Sequence, residues 1–174
     1  MTDIKRYEST QPHRKPNRLK DYDYSTNGAY FITICTKEHK CILSRIVGDG
    51  VLDVPKTVLT EYGKIANNQL EIMSSFYEDI EIDKYVIMPN HIHILIGIFN
   101  SGEGSSGTPT PTNEKISRFV STFKRFCNKQ YGQNIWQRSY YDHIIRDDKD
   151  YRTRWKYIDE NPIRWLNDKY YNTM

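Results

Sequence analysis

Apolar positions along the chain recur with two periods, and the switches between them mark out the elements. From Gly28 a β-branched and aromatic run, Ala29-Tyr-Phe-Ile-Thr-Ile-Cys-Thr36, predicts a buried strand. Residues 38–54 predict a loop or small hairpin around Gly48-Asp-Gly50. After Pro55, apolar residues at Val58, Leu59, Tyr62, Ile65, Ala66, Leu70, Ile72 and Met73 recur at helical spacings. Phe76–Met88 reads as a second strand, with alternation at Ile80, Ile82 and Tyr85. Pro89-Asn90 then makes a tight turn. His91-Ile-His-Ile-Leu-Ile-Gly-Ile98 is a third strand, close enough behind that turn to form an antiparallel hairpin. Residues 100–113 are Gly, Ser, Thr and Pro-rich and read as a loop. A helix over 114–130 follows, with Ile116, Phe119, Val120, Phe123 and Cys127 on one face. Residues 135–146 predict a fourth strand with its approach. A last helix starts near Asp148, whose carboxylate is placed to cap it, and ends before Pro162.

The order β-α-β-β-α-β-α predicts an α+β domain, ferredoxin-like or RRM-like, with a four-stranded antiparallel sheet and helices on one side. The expected division is a basic, loose arm over 1–24, the domain over 25–165 and a tail over 166–174. With 174 residues there is room for one domain with a real core. No apolar run approaches the ~18 residues of a membrane span, and MTDIKRYEST has no apolar signal region. The three cysteines, Cys35, Cys41 and Cys127, form no CxxC pair, which points to a reducing cytoplasm rather than a disulfide scaffold or structural zinc.

Net charge is only +3, but it is unevenly spread. Residues 1–20 carry 6 Lys/Arg against 2 Asp/Glu, residues 21–112 carry 6 against 12, and residues 113–174 carry 13 against 8. Basic ends interleaved with Tyr and Trp suit a phosphate backbone with exposed bases, although the same composition also describes a solvated surface.

The sharpest chemical feature is His91-Ile92-His93. Strand side chains alternate, so both imidazoles leave one face side by side. Two neutral imidazoles so placed can bind a divalent metal; two packed histidines would show the same spacing. On the last helix Tyr157 and Asn161 are four apart and share a face. The phenol offers a nucleophile and the amide oxygen a third ligand, while a half-buried tyrosine beside a helix cap is the plainer reading. Taken together, the two histidines and the Tyr-x-x-x-Asn pair are what phosphodiester transesterification needs. N/O ligation of this kind suits Mg²⁺ or Mn²⁺.

These residues carry a resemblance. Met88-Pro-Asn-His-Ile-His-Ile-Leu-Ile96 resembles the HUH motif of single-tyrosine transposases, where U is a bulky hydrophobic residue. Trp136-Gln137, Tyr140-Tyr-Asp-His-Ile-Ile-Arg146 and Tyr157-Ile-Asp-Glu-Asn-Pro162 are similar to the following blocks of the REP-associated tyrosine transposase branch. The resemblance covers residues 25–165. It implies His91, His93 and Asn161 as metal ligands, Tyr157 as nucleophile and single-stranded or hairpin DNA as substrate, cut through a 5′-phosphotyrosine. Insertion-sequence relatives often carry Gln at the place of Asn161. They often work as homodimers with shared sites, whereas the REP-associated branch is expected to complete its site within one chain. Monomer and homodimer therefore both stay open.

The candidate DNA contacts are Lys115, Arg118, Lys124, Arg125 and Lys129 on the polar face of the 114–130 helix, and Arg138, Arg146, Arg152 and Arg154 near the cut. Two rivals stand beside the transposase. One is a non-catalytic single-stranded nucleic-acid-binding module with an RRM-like sheet, although no RNP-type aromatic run is present. The other is a metal-dependent nuclease using water as nucleophile.

Overall fold

The computed structural model describes residues 27–48, 54–99, 112–168 and 170–171. The Gly/Ser/Thr/Pro loop expected at 100–113 and the basic arm fall almost wholly outside these. β1 (Gly28–Cys35) is followed by a short 3₁₀ turn (Lys37–His39). Next come β2 (Ser44–Val47), β3 (Lys56–Leu59), α1 (Glu61–Phe76), β4 (Ile80–Ile87) and β5 (His91–Ile98). α2 (Thr112–Tyr131), β6 (Tyr141–Ile144), α3 (Asp148–Glu160) and a second 3₁₀ turn (Trp165–Asn167) complete the chain.

The main sheet has four strands in the order β4-β5-β1-β6, each antiparallel to its neighbours. This is the expected α+β class with the strand order of a ferredoxin-like domain. β2 and β3 form a separate two-stranded ribbon. It accounts for one difference from the expectation: Val58 and Leu59 fit a helical spacing, yet they pair across β3 to Arg45 and Ser44. α1 instead begins after Thr60, whose hydroxyl oxygen accepts the Gly63 amide at 3.2 Å. Phe76, expected in a strand, closes α1.

β5 is buried along its whole length because both sheet faces are covered there. One face presents Tyr30, Ile32 and Ile34 of β1 with Ile92, Ile94, Ile96 and Ile98 of β5. Against it pack Ala66, Leu70 and Met73 of α1 and Ile116, Phe119, Val120, Phe123 and Cys127 of α2. The other face presents Phe31 and Leu95, which pack on Ile158 of α3. The expectation of helices on one side thus holds for α1 and α2, while α3 takes the opposite face. The physical reason is the alternation of β5: both its odd and its even positions carry side chains that need cover, and the odd set includes the two histidines. α3 is capped by Asp147 rather than Asp148, the Asp147 carboxylate accepting the Asp150 amide at 2.8 Å. Among the described residues no helix is long and apolar enough to cross a membrane.

Candidate active site

The site forms on the α3 face of the sheet. Register places Thr33 opposite His93 and Cys35 opposite His91, all on the odd-numbered side. Both imidazoles are buried, and their Nε2 atoms face each other at 3.0 Å. The outer nitrogens are held from behind, His91 Nδ1 by Asn90 Oδ1 at 2.8 Å and His93 Nδ1 by the Thr33 hydroxyl at 2.9 Å. Phe31 stacks on His93 at 4.9 Å and meets the Tyr157 ring edge-on at 5.8 Å.

α3 brings the second half. Asn161 keeps helical backbone angles just past the last turn, so its side chain follows Tyr157 by one turn. The Tyr157 ring lies 5.2 Å from that of His93. The structure therefore brings together all four residues singled out for chemistry, His91, His93, Tyr157 and Asn161. It adds two that the sequence reading missed. Asp168 Oδ2 accepts the Tyr157 hydroxyl at 3.2 Å and the Asn161 amide at 3.3 Å. Tyr170 covers the pair, its ring 4.7 Å from His91. Neither has a sequence signal: both follow the helix in a short segment with no periodic pattern, and they join the site by folding back, Asp168 onto α3 and Tyr170 onto β5. Burial, then the Asp168 charge, pushes the Tyr157 phenol up to about 12. Tyr170 is pushed up to about 12 as well, chiefly by burial.

The donor set fits a divalent cation. One nitrogen of each histidine and a carboxylate oxygen of Asp168 lie within 4.8 Å of one another. Asn161 Oδ1 is buried with no hydrogen-bond partner among the described residues, a costly state for an amide oxygen that a cation would relieve.

The candidate DNA contacts divide between the two sides of the sheet. Arg154 sits one turn before Tyr157, its guanidinium over the Phe31 ring at 5.5 Å, and it pairs with Asp150 at 3.2 Å. Asp150 also takes His143 at 2.7 Å. Arg152 lies outward on α3 with Asp148, and Arg138 and Arg146 are exposed. The α2 group lies in the layer across the sheet from the histidines. There Arg118, Arg125 and Lys129 are exposed, while Lys115 is paired with Asp79 at 2.7 Å. Lys124 is turned inward, its ammonium donating to the carbonyls of Gln137 and Ser139 at 2.8 and 2.9 Å. Trp136 is in the core against Phe123. Trp155 is partly exposed under the Lys84 ammonium.

Comparison with known proteins bears on the family and the fold. The family model described as "Transposase IS200 like" matches residues 24–161. An uncharacterized protein of Haemophilus influenzae is 34% identical over 181 residues, covering 95% of this chain and 97% of its own. The REP-associated tyrosine transposase of Escherichia coli is 31% identical over 84 residues, 48% of this chain and 45% of its own. Among solved structures, a REP-associated tyrosine transposase bound to a REP hairpin shares the fold with a TM-score of 0.57 and 23% identity, over 85% of this chain and 73% of that one. With its match running through both histidines, Tyr157 and Asn161, this chain belongs to the IS200-like transposase family.

Proposed function

We propose that this chain cuts and rejoins single-stranded or hairpin DNA, with Tyr157 as nucleophile and with His91, His93 and Asn161 holding a divalent cation, Mg²⁺ or Mn²⁺. The observation that carries the reading is the buried Asn161 Oδ1, unpartnered among the described residues, on an amide that donates to Asp168, the carboxylate grouped with the two convergent histidine nitrogens, one helical turn from Tyr157. Asp168 is a fourth donor in reach. When bound, the cation supplies Lewis-acid polarisation of the scissile phosphate.

The rest of the chemistry belongs to the chain. Attack by Tyr157 Oη forms a bond to phosphorus and breaks the bond to the 3′ oxygen. The products are a 5′-phosphotyrosine and a departing 3′ oxygen, which takes up a proton to become the 3′-hydroxyl. A phenol is a poor nucleophile at neutral pH, and burial here makes it poorer. Its O–H already points at Asp168, which gives the proton a place to go. The phosphotyrosine keeps the bond energy, so attack by a 3′-hydroxyl rejoins DNA without a nucleotide cofactor. The proposed site takes all of these groups from one chain, and a homodimer with shared sites is the alternative assembly. The REP hairpin bound by the structurally similar REP-associated tyrosine transposase supports hairpin DNA as the substrate class.

Arg154 stands beside the site and is proposed to hold a phosphate near the cut. Arg138, Arg146 and Arg152 extend that contact along the strand, and the α2 cations meet DNA further away. The proposed arm over 1–24 precedes the domain at 25–165, with the last residues as its tail.

The test is a denaturing gel with wild type and Tyr157→Phe on labelled single strands from the gene's own flanks, with and without Mn²⁺. A Mn²⁺-dependent covalent protein–DNA adduct, absent in Tyr157→Phe, is expected. DNA binding with neither adduct nor cleavage would favour a non-catalytic binding module. Cleavage that survives Tyr157→Phe would favour a water nucleophile or another tyrosine.

A further inference from the structure

Two residues to which the sequence assigned no chemical role sit behind the histidines, and their hydrogen bonds are not equivalent. Asn90 is fully buried. Its Nδ2 donates to two backbone carbonyls, His39 O at 3.2 Å and Tyr170 O at 2.6 Å. Carbonyls only accept, so that end of the amide must be the NH₂ group. The end facing His91 Nδ1 at 2.8 Å is then the amide oxygen, which also only accepts. His91 must therefore carry its hydrogen on Nδ1, and its Nε2 presents a lone pair towards His93.

His93 is held differently. Its Nδ1 lies 2.9 Å from the Thr33 hydroxyl, and Thr33 is itself buried. A hydroxyl donates or accepts as required. The two Nε2 atoms converge at 3.0 Å. For both to turn lone pairs to one cation, His93 would carry its hydrogen on Nδ1, and the Thr33 oxygen would accept it as Asn90 Oδ1 accepts from His91.

We infer that Asn90 and Thr33 are positioning residues for the histidine pair, Asn90 locking His91 in its Nδ1–H tautomer and Thr33 holding His93 through its Nδ1. Asn90 orients one ring and Thr33 the other. The metal consequence rests on the proposed cation site, whereas the tautomer of His91 does not.

The experiment is long-range ¹H–¹⁵N NMR of the histidine rings in the full-length protein without metal, together with Mn²⁺ titration followed by EPR. His91 is expected as the Nδ1–H tautomer in wild type and to lose that signature in Asn90→Ala. Outer partners of this kind set metal affinity by about 10–100-fold, so Mn²⁺ binding should weaken by that factor in Asn90→Ala and Thr33→Val and return in Thr33→Ser. Thermal melts identify any variant that fails to fold, and the wild-type spectrum and the Thr33 pair decide the matter without Asn90→Ala. An Nε2–H tautomer for His91 in wild type would overturn the inference. So would unchanged Mn²⁺ affinity in folded Asn90→Ala and Thr33→Val. A wild type that shows the Nδ1–H tautomer but binds no Mn²⁺ would uphold the Asn90 lock and overturn the cation site.

Discussion

Asp150 shows how much a single carboxylate on the active face organises. Burial raises its pKa, and the hydrogen bond and charge of His143, the Arg154 guanidinium and the Arg146 amide more than offset that, leaving it below the ordinary carboxylate value. A folded pKa below the unfolded one means stabilisation that is present above about pH 4 and lost as pH falls through the lowered value. Asp150→Asn should therefore be less stable than wild type at pH 7, and the gap in urea midpoint should narrow as pH falls below about 4. A constant gap across that range would refute the assignment. The sequence was informative about Tyr157 and Asn161 because an i, i+4 pair on a helix is fixed by local geometry. It was silent on Asp168, Tyr170 and Thr33, whose roles depend on distant segments meeting. Lys124 illustrates the same limit: helical spacing puts it on the polar face, but only the return of residues 137–139 gives its ammonium two carbonyls.

At the scale of elements, the site depends on α3 being pinned to the sheet. Ile158 is buried against Phe31 and Leu95 and is the one fully buried apolar side chain within α3. Ile158→Ala should cost about 2–4 kcal/mol by chemical denaturation, and it should lower adduct formation because Tyr157 is its neighbour. Stability within 0.5 kcal/mol of wild type (a margin typical of surface substitutions) would show that α3 is held elsewhere. On the other face, Gly63 lies under the Leu43 carbonyl, so that an added Cβ would run into it. Gly63→Ala should destabilise by about 1–3 kcal/mol despite alanine's better helix propensity. An unchanged melting temperature would contradict that packing.

These elements differ in how legible they were. The β4–β5 hairpin was plain from an apolar run behind Pro89-Asn90, because a short turn leaves little choice of pairing. The start of α1 was not, because Val58 and Leu59 satisfy two periods at once and only the partner strand β2 decides between them. The position of α3 required knowing that β5 buries both faces, which a continuous apolar run suggests but does not assign to a helix.

At the scale of the whole molecule, the candidate DNA-binding cations among the described residues fall on two sides of the sheet, the α3 group beside Tyr157 and the α2 group in the opposite layer. Each phosphate contact contributes about 0.9 to the salt dependence of duplex binding, or about 0.7 for a single strand. Replacing Arg154 by Gln should reduce that slope by roughly one contact and also slow adduct formation on DNA already bound. Replacing Arg118, Arg125 and Lys129 together by Gln should reduce the slope without changing the rate on bound DNA. Filter binding across a salt series with single-turnover assays separates the two, and a rate loss in the triple variant would contradict the division. The central claim is that Tyr157, and no other of the 14 tyrosines, carries the DNA. The most direct measurement is mass mapping of the nuclease-trimmed covalent species formed with Mn²⁺ and a single strand. The account predicts a nucleotide 5′-phosphate remnant on the peptide containing Tyr157. A remnant on Tyr131, Tyr140, Tyr141 or any other residue would contradict it.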